Sequence, residues 1–215
     1  MLIAISVSTN YSDILEIILK QNIKSFDHWY IITQKNDKNT INLIKNIDKI
    51  TILYYNFQSN NSNFDKGGAL RYAQLEIHEK YDKSIILILD SDIYLPYNFS
   101  EIINNEIFQT NTLYGSLVRL DFYKLSDFYN KENFGIYTIS ECFCGYFQMY
   151  YIDKSSENCK LYLYDISKHC GLCDDLFKRH FTKFKILELV MYHFGLANTH
   201  WNGRINNTDF LIDKY

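Results

Sequence analysis

The chain has 215 residues, 47% of them hydrophobic, which suffices for one domain with a sizeable core. Its 22 Lys and Arg against 25 Asp and Glu give a net charge of −3. Those charges are scattered without like-sign blocks, which argues against a surface for nucleic acid or anionic lipid. No apolar run approaches the roughly 20 residues of a membrane span, and Met1 to Ser8 turns polar too early for a signal peptide. Five cysteines suit a reducing compartment better than a fully paired disulfide framework. The expectation is a soluble, cytoplasmic protein.

Leu2 to Val7 is a short apolar run that predicts a buried strand. Thr9 or Ser12 could cap the next segment, where Ile14, Leu15, Ile17, Ile18 and Leu19 recur at helical spacing. His28 to Thr33 reads as a second strand, Thr40 to Ile47 as a short helix and Ile50 to Tyr55 as a third strand. Gly68 to Tyr81 is helical by pattern, and Ser84 to Leu89 is the most hydrophobic strand of the chain. This alternation predicts an α/β fold, a mixed and mainly parallel Rossmann-like sheet flanked by helices. Ligands of such sheets lie beyond the carboxyl ends of the strands. After Pro96 the rhythm changes. Thr112 to Leu120, Phe143 to Ile152 and Lys185 to Tyr192 read as strands, and Leu172 to Phe181 as a helix. A single domain over 1–215 is expected, with a nucleotide-binding half (1–95) extended by a second half (96–215).

Asp90 and Asp92 follow five consecutive aliphatic residues, Ile85 to Leu89. Two carboxylates at the mouth of an apolar strand are costly unless a cation or a hydrogen-bond network offsets them. If the chain turns there, both can face one pocket and share a divalent ion, Mn²⁺ or Mg²⁺, bridged to a diphosphate. Lys66, Gly67 and Gly68 precede a helix whose free backbone N–H groups could meet an anion. Lys66 and Arg71 could add positive charge there.

Three stretches carry a family resemblance. Leu2 to Thr33, Phe64 to Arg71 (FDKGGALR) and Ile88 to Ile93 (ILDSDI) resemble the opening units, glycine-rich helix start and DxD of family 2 GT-A glycosyltransferases. Met191 to Gly195 with Thr199 to Arg204 resembles the His-Gly-Trp tail of family 8 enzymes, although His-x-Gly stands here for His-x-x-Gly. The resemblance implies a metal-dependent hexosyltransferase that moves a sugar from a UDP- or GDP-sugar to a hydroxyl of a glycan or protein. It makes Asp90-Ser91-Asp92 the metal–diphosphate motif, with Asp92 a direct ligand, Asp90 a ribose or metal partner, and His193 the third metal ligand. It places the nucleoside against Ser8, Thr9 and Asn10 and the base near Gln34 and Asp37. Arg204 could clamp the diphosphate, and the second half (96–215) would hold donor sugar and acceptor. Asp174-Asp175 resembles the Glu-Asp pair that starts a helix in inverting family 2 enzymes, which makes Asp175, or else Asp174, the candidate base.

Three rivals stay open on the residues alone. A haloacid-dehalogenase-type phosphohydrolase also ends an apolar strand in Asp-x-Asp, but its motif follows the first strand. A nucleotidyltransferase would normally carry a glycine-rich basic loop after the first strand, where Ser8-Thr9-Asn10-Tyr11 stands instead. A catalytically inactive sugar- or partner-binding domain is the third. Cys142, Cys144, Cys170 and Cys173 with His169 could form a structural zinc site, whereas their apolar surroundings suit packed thiols.

Overall fold

The computed structural model describes residues 1–59, 62–130, 135–138, 143, 145–157, 159–166, 170–195, 202–204 and 212. The first half follows the expected alternation to within a few residues: β1 (Leu2–Val7), α1 (Ser12–Asn22), β2 (His28–Thr33), α2 (Lys38–Ile44), β3 (Ile50–Tyr54), α3 (Lys66–Lys80) and β4 (Lys83–Leu89). The second half adds β5 (Ile93–Tyr94), α4 (Phe99–Asn105), β6 (Thr112–Gly115), β7 (Val118–Phe122), α5 (Leu125–Asn130), β8 (Gly135–Thr138), β9 (Phe147–Asp153), α6 (Cys170–Lys178), β10 (Lys183–Ile186) and β11 (Val190–Phe194).

Seven strands form the main sheet in the order β10-β6-β9-β4-β1-β2-β3. β1 runs parallel to β2 and β4, and β2 to β3, whereas β9 runs antiparallel between β4 and β6. This is the mixed, mainly parallel α/β sheet that the alternation predicts. Both faces are covered, which is why its central strands read as unbroken apolar runs. Leu2 and Ala4 of β1 pack with α1 in one core, while Ile3 and Ile5 pack with α3 in the other.

Two expected strands are each broken in two. Thr112 to Leu120 divides into β6 and β7, and Lys185 to Tyr192 into β10 and β11. The first member of each pair stays in the main sheet, and the second joins a smaller sheet of order β5-β11-β7-β8. Ser116 makes the break, since its hydroxyl donates to the Leu189 carbonyl over 2.7 Å and accepts from the Val118 amide. The Leu187 amide reaches back to the Gly115 carbonyl over 2.8 Å. β-Propensity runs on through both joints, so sequence pattern cannot locate them. The expected cap of α1 also differs: Tyr11 takes the capping position, without a side-chain bond.

Asn22 fastens α1 to the segment that follows the acid pair. Fully buried, it donates from Nδ2 to the Ile93 carbonyl (2.7 Å) and accepts the Leu95 amide on Oδ1 (3.0 Å), bracketing β5 just after the acid pair. Asn22→Ala leaves two backbone groups unsatisfied, each worth about 1–3 kcal/mol. Denaturant unfolding should show a loss of about 2–4 kcal/mol with an unchanged slope.

Candidate active site

Beyond β4 the chain leaves the sheet, and Asp90, Ser91 and Asp92 turn into the space between the two sheets. Ser91 is buried and donates to the Val7 carbonyl at the end of β1 over 2.8 Å. Its hydroxyl thus ties the turn to the neighbouring strand, and the two carboxylates beside it take different partners.

Asp90 faces α3. Its Oδ1 lies 2.8 Å from Lys66 Nζ, and Lys66 also stands 3.8 Å from Asp174 Oδ1 on α6. Burial alone would strip the proton from Lys66, but Asp174 and Asp90 outweigh it and hold the ammonium well above its usual range. Burial pushes the Asp90 carboxyl up. Lys66 opposes this, the Asp92 and Asp174 charges add to it, and the net shift is upward. Lys66 can reach both acids because Gly67 follows it. A Cβ at Gly67 would lie 2.1 Å from the Asp165 carbonyl oxygen. Asp65 caps α3 by accepting the Gly68 amide over 2.8 Å.

Asp92 faces the small sheet. Its Oδ2 lies 3.4 Å from His193 Nε2, and Nδ1 of the same ring lies 2.7 Å from Asp121 Oδ1. Strand pairing places Asp121 directly opposite His193, and Arg119 Nε backs Asp121 at 2.9 Å. Burial would lower the imidazole, but the carboxylates on its two sides raise it to about 9. Burial likewise pushes Asp92 up, and His193 with Arg119 more than offsets it, leaving the carboxyl below its usual range.

The donor chemistry of Asp92 and His193 fits a hard divalent ion. Their 3.4 Å separation is near the about 3 Å between neighbouring octahedral ligands at Mg²⁺ distances. A carboxylate on the far imidazole nitrogen is the usual support of a ligating histidine. Asp90 is paired with Lys66 instead of His193. Among the described residues, no group of three or more His, Cys, Asp or Glu is arranged for a metal.

Several other candidates are engaged elsewhere. Asp37 is buried and accepts from the Asn10 amide (2.9 Å), the Thr33 hydroxyl (3.1 Å) and the Thr40 amide (3.2 Å), capping α2. Gln34 lies in an open cleft of about 520 Å³ with Tyr54, Asn56 and Gln58, and its amide donates to Gln58. Arg71 donates to the Tyr164 carbonyl over 3.3 Å. Arg204 is 1% exposed and grips Asp13 with both guanidinium nitrogens, at 2.6 and 3.0 Å. It also donates to the Asn10 carbonyl and lies 5.0 Å above the Tyr11 ring. Asn10, in the left-handed region at φ 62°, returns a bond to the Arg204 carbonyl. Burial first, then the Asp92 and Asp90 charges, raise the Tyr11 phenol well above its usual value. Of the α6 acids, Asp174 belongs to the site, whereas Asp175 is 49% exposed beside Lys178. Ser8 and Thr9 end β1 buried, and their hydroxyls have no hydrogen-bond partner among the described residues. Cys142, Cys144, His169 and Trp201 lie outside the described residues, and the Cys173 thiol donates to the Cys170 carbonyl over 3.0 Å.

Asp121, Arg119, Tyr11 and Asp13 escape sequence reading. Only Arg119-x-Asp121, two charges alternating through an apolar strand, left a trace.

No protein-family model matches the chain, and no curated protein is similar to it in sequence. In fold it is similar to a 4-diphosphocytidyl-2C-methyl-D-erythritol synthase at 13% identity and TM-score 0.50, covering 86% of this chain and 87% of the other. A synthase of the same description from Anaerococcus prevotii aligns at 14% identity, TM-score 0.47, over 97% and 92%. The inositol-1-phosphate CTP transferase of T. maritima aligns at 10%, TM-score 0.42, over 89% and 88%. Likeness at such identity establishes the GT-A-like, Rossmann-type fold. The first of these is described as a diphosphocytidyl-methylerythritol synthase and not as a glycosyltransferase, so the assignment as a hexosyltransferase acting on a glycan acceptor is corrected.

The Asp92–His193–Asp121 chain makes stability depend on pH. A histidine raised from 6.5 to about 9 on folding contributes fully below about pH 6.5 and loses that contribution as pH rises through 9. Unfolding of the metal-free protein should therefore lose up to about 3 kcal/mol between those values. His193→Gln should flatten that slope.

Proposed function

We propose that the chain is a nucleotidyltransferase, which moves a nucleoside monophosphate from a nucleoside triphosphate to a phosphorylated small-molecule acceptor and releases pyrophosphate. The observation that carries this reading is the pair of ionic lobes at the end of β4, Lys66–Asp90 on one side and Asp92–His193–Asp121 on the other. They lie in a fold similar to that of a synthase whose product bears a diphosphocytidyl group. By formal charge, Lys66, Arg119 and a protonated His193 face Asp90, Asp92, Asp121 and Asp174, one negative charge in excess. A triphosphate cannot approach such a mouth without a further cation.

Asp92, and His193 once its Nε2 proton has been displaced, are the residues that would hold Mg²⁺ or Mn²⁺, leaving the other positions to water and phosphate oxygens. Such an ion neutralises phosphate and stabilises the charge that builds on departing pyrophosphate. Asp121 keeps the imidazole turned toward Asp92. Lys66 presents its ammonium to a phosphate oxygen, at the start of α3. That position supplies the charge which a basic loop after β1 would otherwise provide. The unpartnered hydroxyls of Ser8 and Thr9 suit the nucleoside. An acceptor phosphate oxygen bonds to the α-phosphorus as the bond to the bridging β-phosphate oxygen breaks, its electron pair leaving with pyrophosphate. The acceptor is already anionic near neutral pH, so no residue has to remove a proton from it. Neither Asp174 nor Asp175 is then required as a base.

The test is exchange of labelled pyrophosphate into each ribonucleoside triphosphate with Mg²⁺ or Mn²⁺, alongside thermal shift. One triphosphate should raise the melting temperature in a cation-dependent way, and Asp92→Ala should cut turnover by about 100-fold or more. If no triphosphate binds or exchanges, the reading fails. Phosphate release without transfer would favour a hydrolase.

A further inference from the structure

The carboxylate of Asp174 occupies a slot built for it. A Cβ at Gly145 would lie 1.9 Å from Asp174 Cγ and within 2.1 Å of both its oxygens, so no other residue at 145 leaves the slot open. Around the slot stand two fully buried side chains, Tyr164 and Gln148. The Tyr164 hydroxyl lies 3.2 Å from Asp174 Oδ1 and is also hydrogen-bonded to Gln148 Oε1. Gln148 cannot turn its amide round, because Nε2 donates to the Phe143 carbonyl (2.8 Å) and toward the Asp174 carbonyl (3.4 Å). Tyr164 is itself fixed: its amide donates to Gln74 Oε1 over 2.8 Å, and its ring stacks 4.2 Å from Phe177 on the same helix as Asp174.

A phenol carries one proton and here faces two acceptors. When that proton goes to Gln148, Asp174 Oδ1 meets a lone pair of Tyr164, keeps only the weak donor of the Cys173 thiol at 3.5 Å, and depends on Lys66 for its counter-charge. When Lys66 moves toward a phosphate, the same proton can turn to Asp174 and replace the lost partner. Asp174 would otherwise be left a partly buried, unpaired carboxylate, a state that would hold Lys66 back.

From this geometry we infer that Tyr164 is a positioning residue. Acting through Asp174, it sets where the Lys66 ammonium rests and how readily Lys66 is released to an incoming phosphate. The inference builds on the nucleotide reading for its purpose, but the contacts themselves can be tested without a nucleotide.

The experiment follows the Lys66 ammonium by ¹H–¹⁵N NMR of the full chain, first without ligand and then with inorganic pyrophosphate as probe. Asp174→Asn should shift the signal and speed its exchange with water at least threefold. Tyr164→Phe removes only the hydroxyl. It should leave the resting signal nearly in place and weaken pyrophosphate binding about tenfold. If Tyr164→Phe proves unstable, Gly145→Ala, which evicts the carboxylate, should reproduce the Asp174→Asn signal. A folded Tyr164→Phe that binds pyrophosphate like wild type overturns the role of Tyr164. A Lys66 signal indifferent to both Asp174→Asn and Gly145→Ala overturns the coupling itself. Failure of the nucleotide reading would appear separately, as wild-type protein that binds no triphosphate while Lys66 still answers to Asp174.

Discussion

Four carboxylates crowd the end of the most apolar strand of the sheet, and the rest of the site is arranged around keeping them charged there. Lys66 is shared between Asp90 and Asp174, while His193, backed by Asp121 and Arg119, stands beside Asp92. Neither cation could persist alone, since burial works against both, and neither acid pair could persist without its cation. Acids and cations therefore hold one another in place, and the backbone is shaped to permit it. A side chain at Gly145 would collide with Asp174 itself, and one at Gly67 would strike the Asp165 carbonyl next to Lys66's helix start.

Much of the first half was legible because its signals are local. Apolar runs of six or seven residues, separated by helix-periodic stretches, specify strands covered on both faces, and the acid pair marks where the fourth of them ends. The second half was legible only in part. Its strands change sheets at Ser116 and between Leu187 and Leu189, joints held by a few hydrogen bonds within stretches of continuous β-propensity. Asp121 could not be linked to His193 from sequence, because their pairing depends on a register 72 residues apart.

Polar residues at the sheet's edge serve the fold as well as any ligand. Asp37, Ser91, Arg71 and Arg204 all resembled ligand contacts by position, yet each closes a loop, caps a helix or ties neighbouring segments. Loops at the edge of a parallel sheet carry many backbone groups that must be satisfied once buried. Side chains with oxygen or guanidinium groups serve that need as readily as they serve a nucleotide. The family echo arose in the same way. A carboxylate pair after an apolar strand belongs to the architecture and says little about which bond is broken.

The grip of Arg204 on Asp13 has a consequence for biogenesis. It joins residues separated by 191 positions, so the loop after β1 lacks its partner until Arg204 has itself emerged from the ribosome. Until then Tyr11 has no guanidinium over its ring and Asn10 lacks its reciprocal bonds. The strands that carry the acid pair can assemble during synthesis, but the wall beside them waits for a residue translated 191 positions after Asp13.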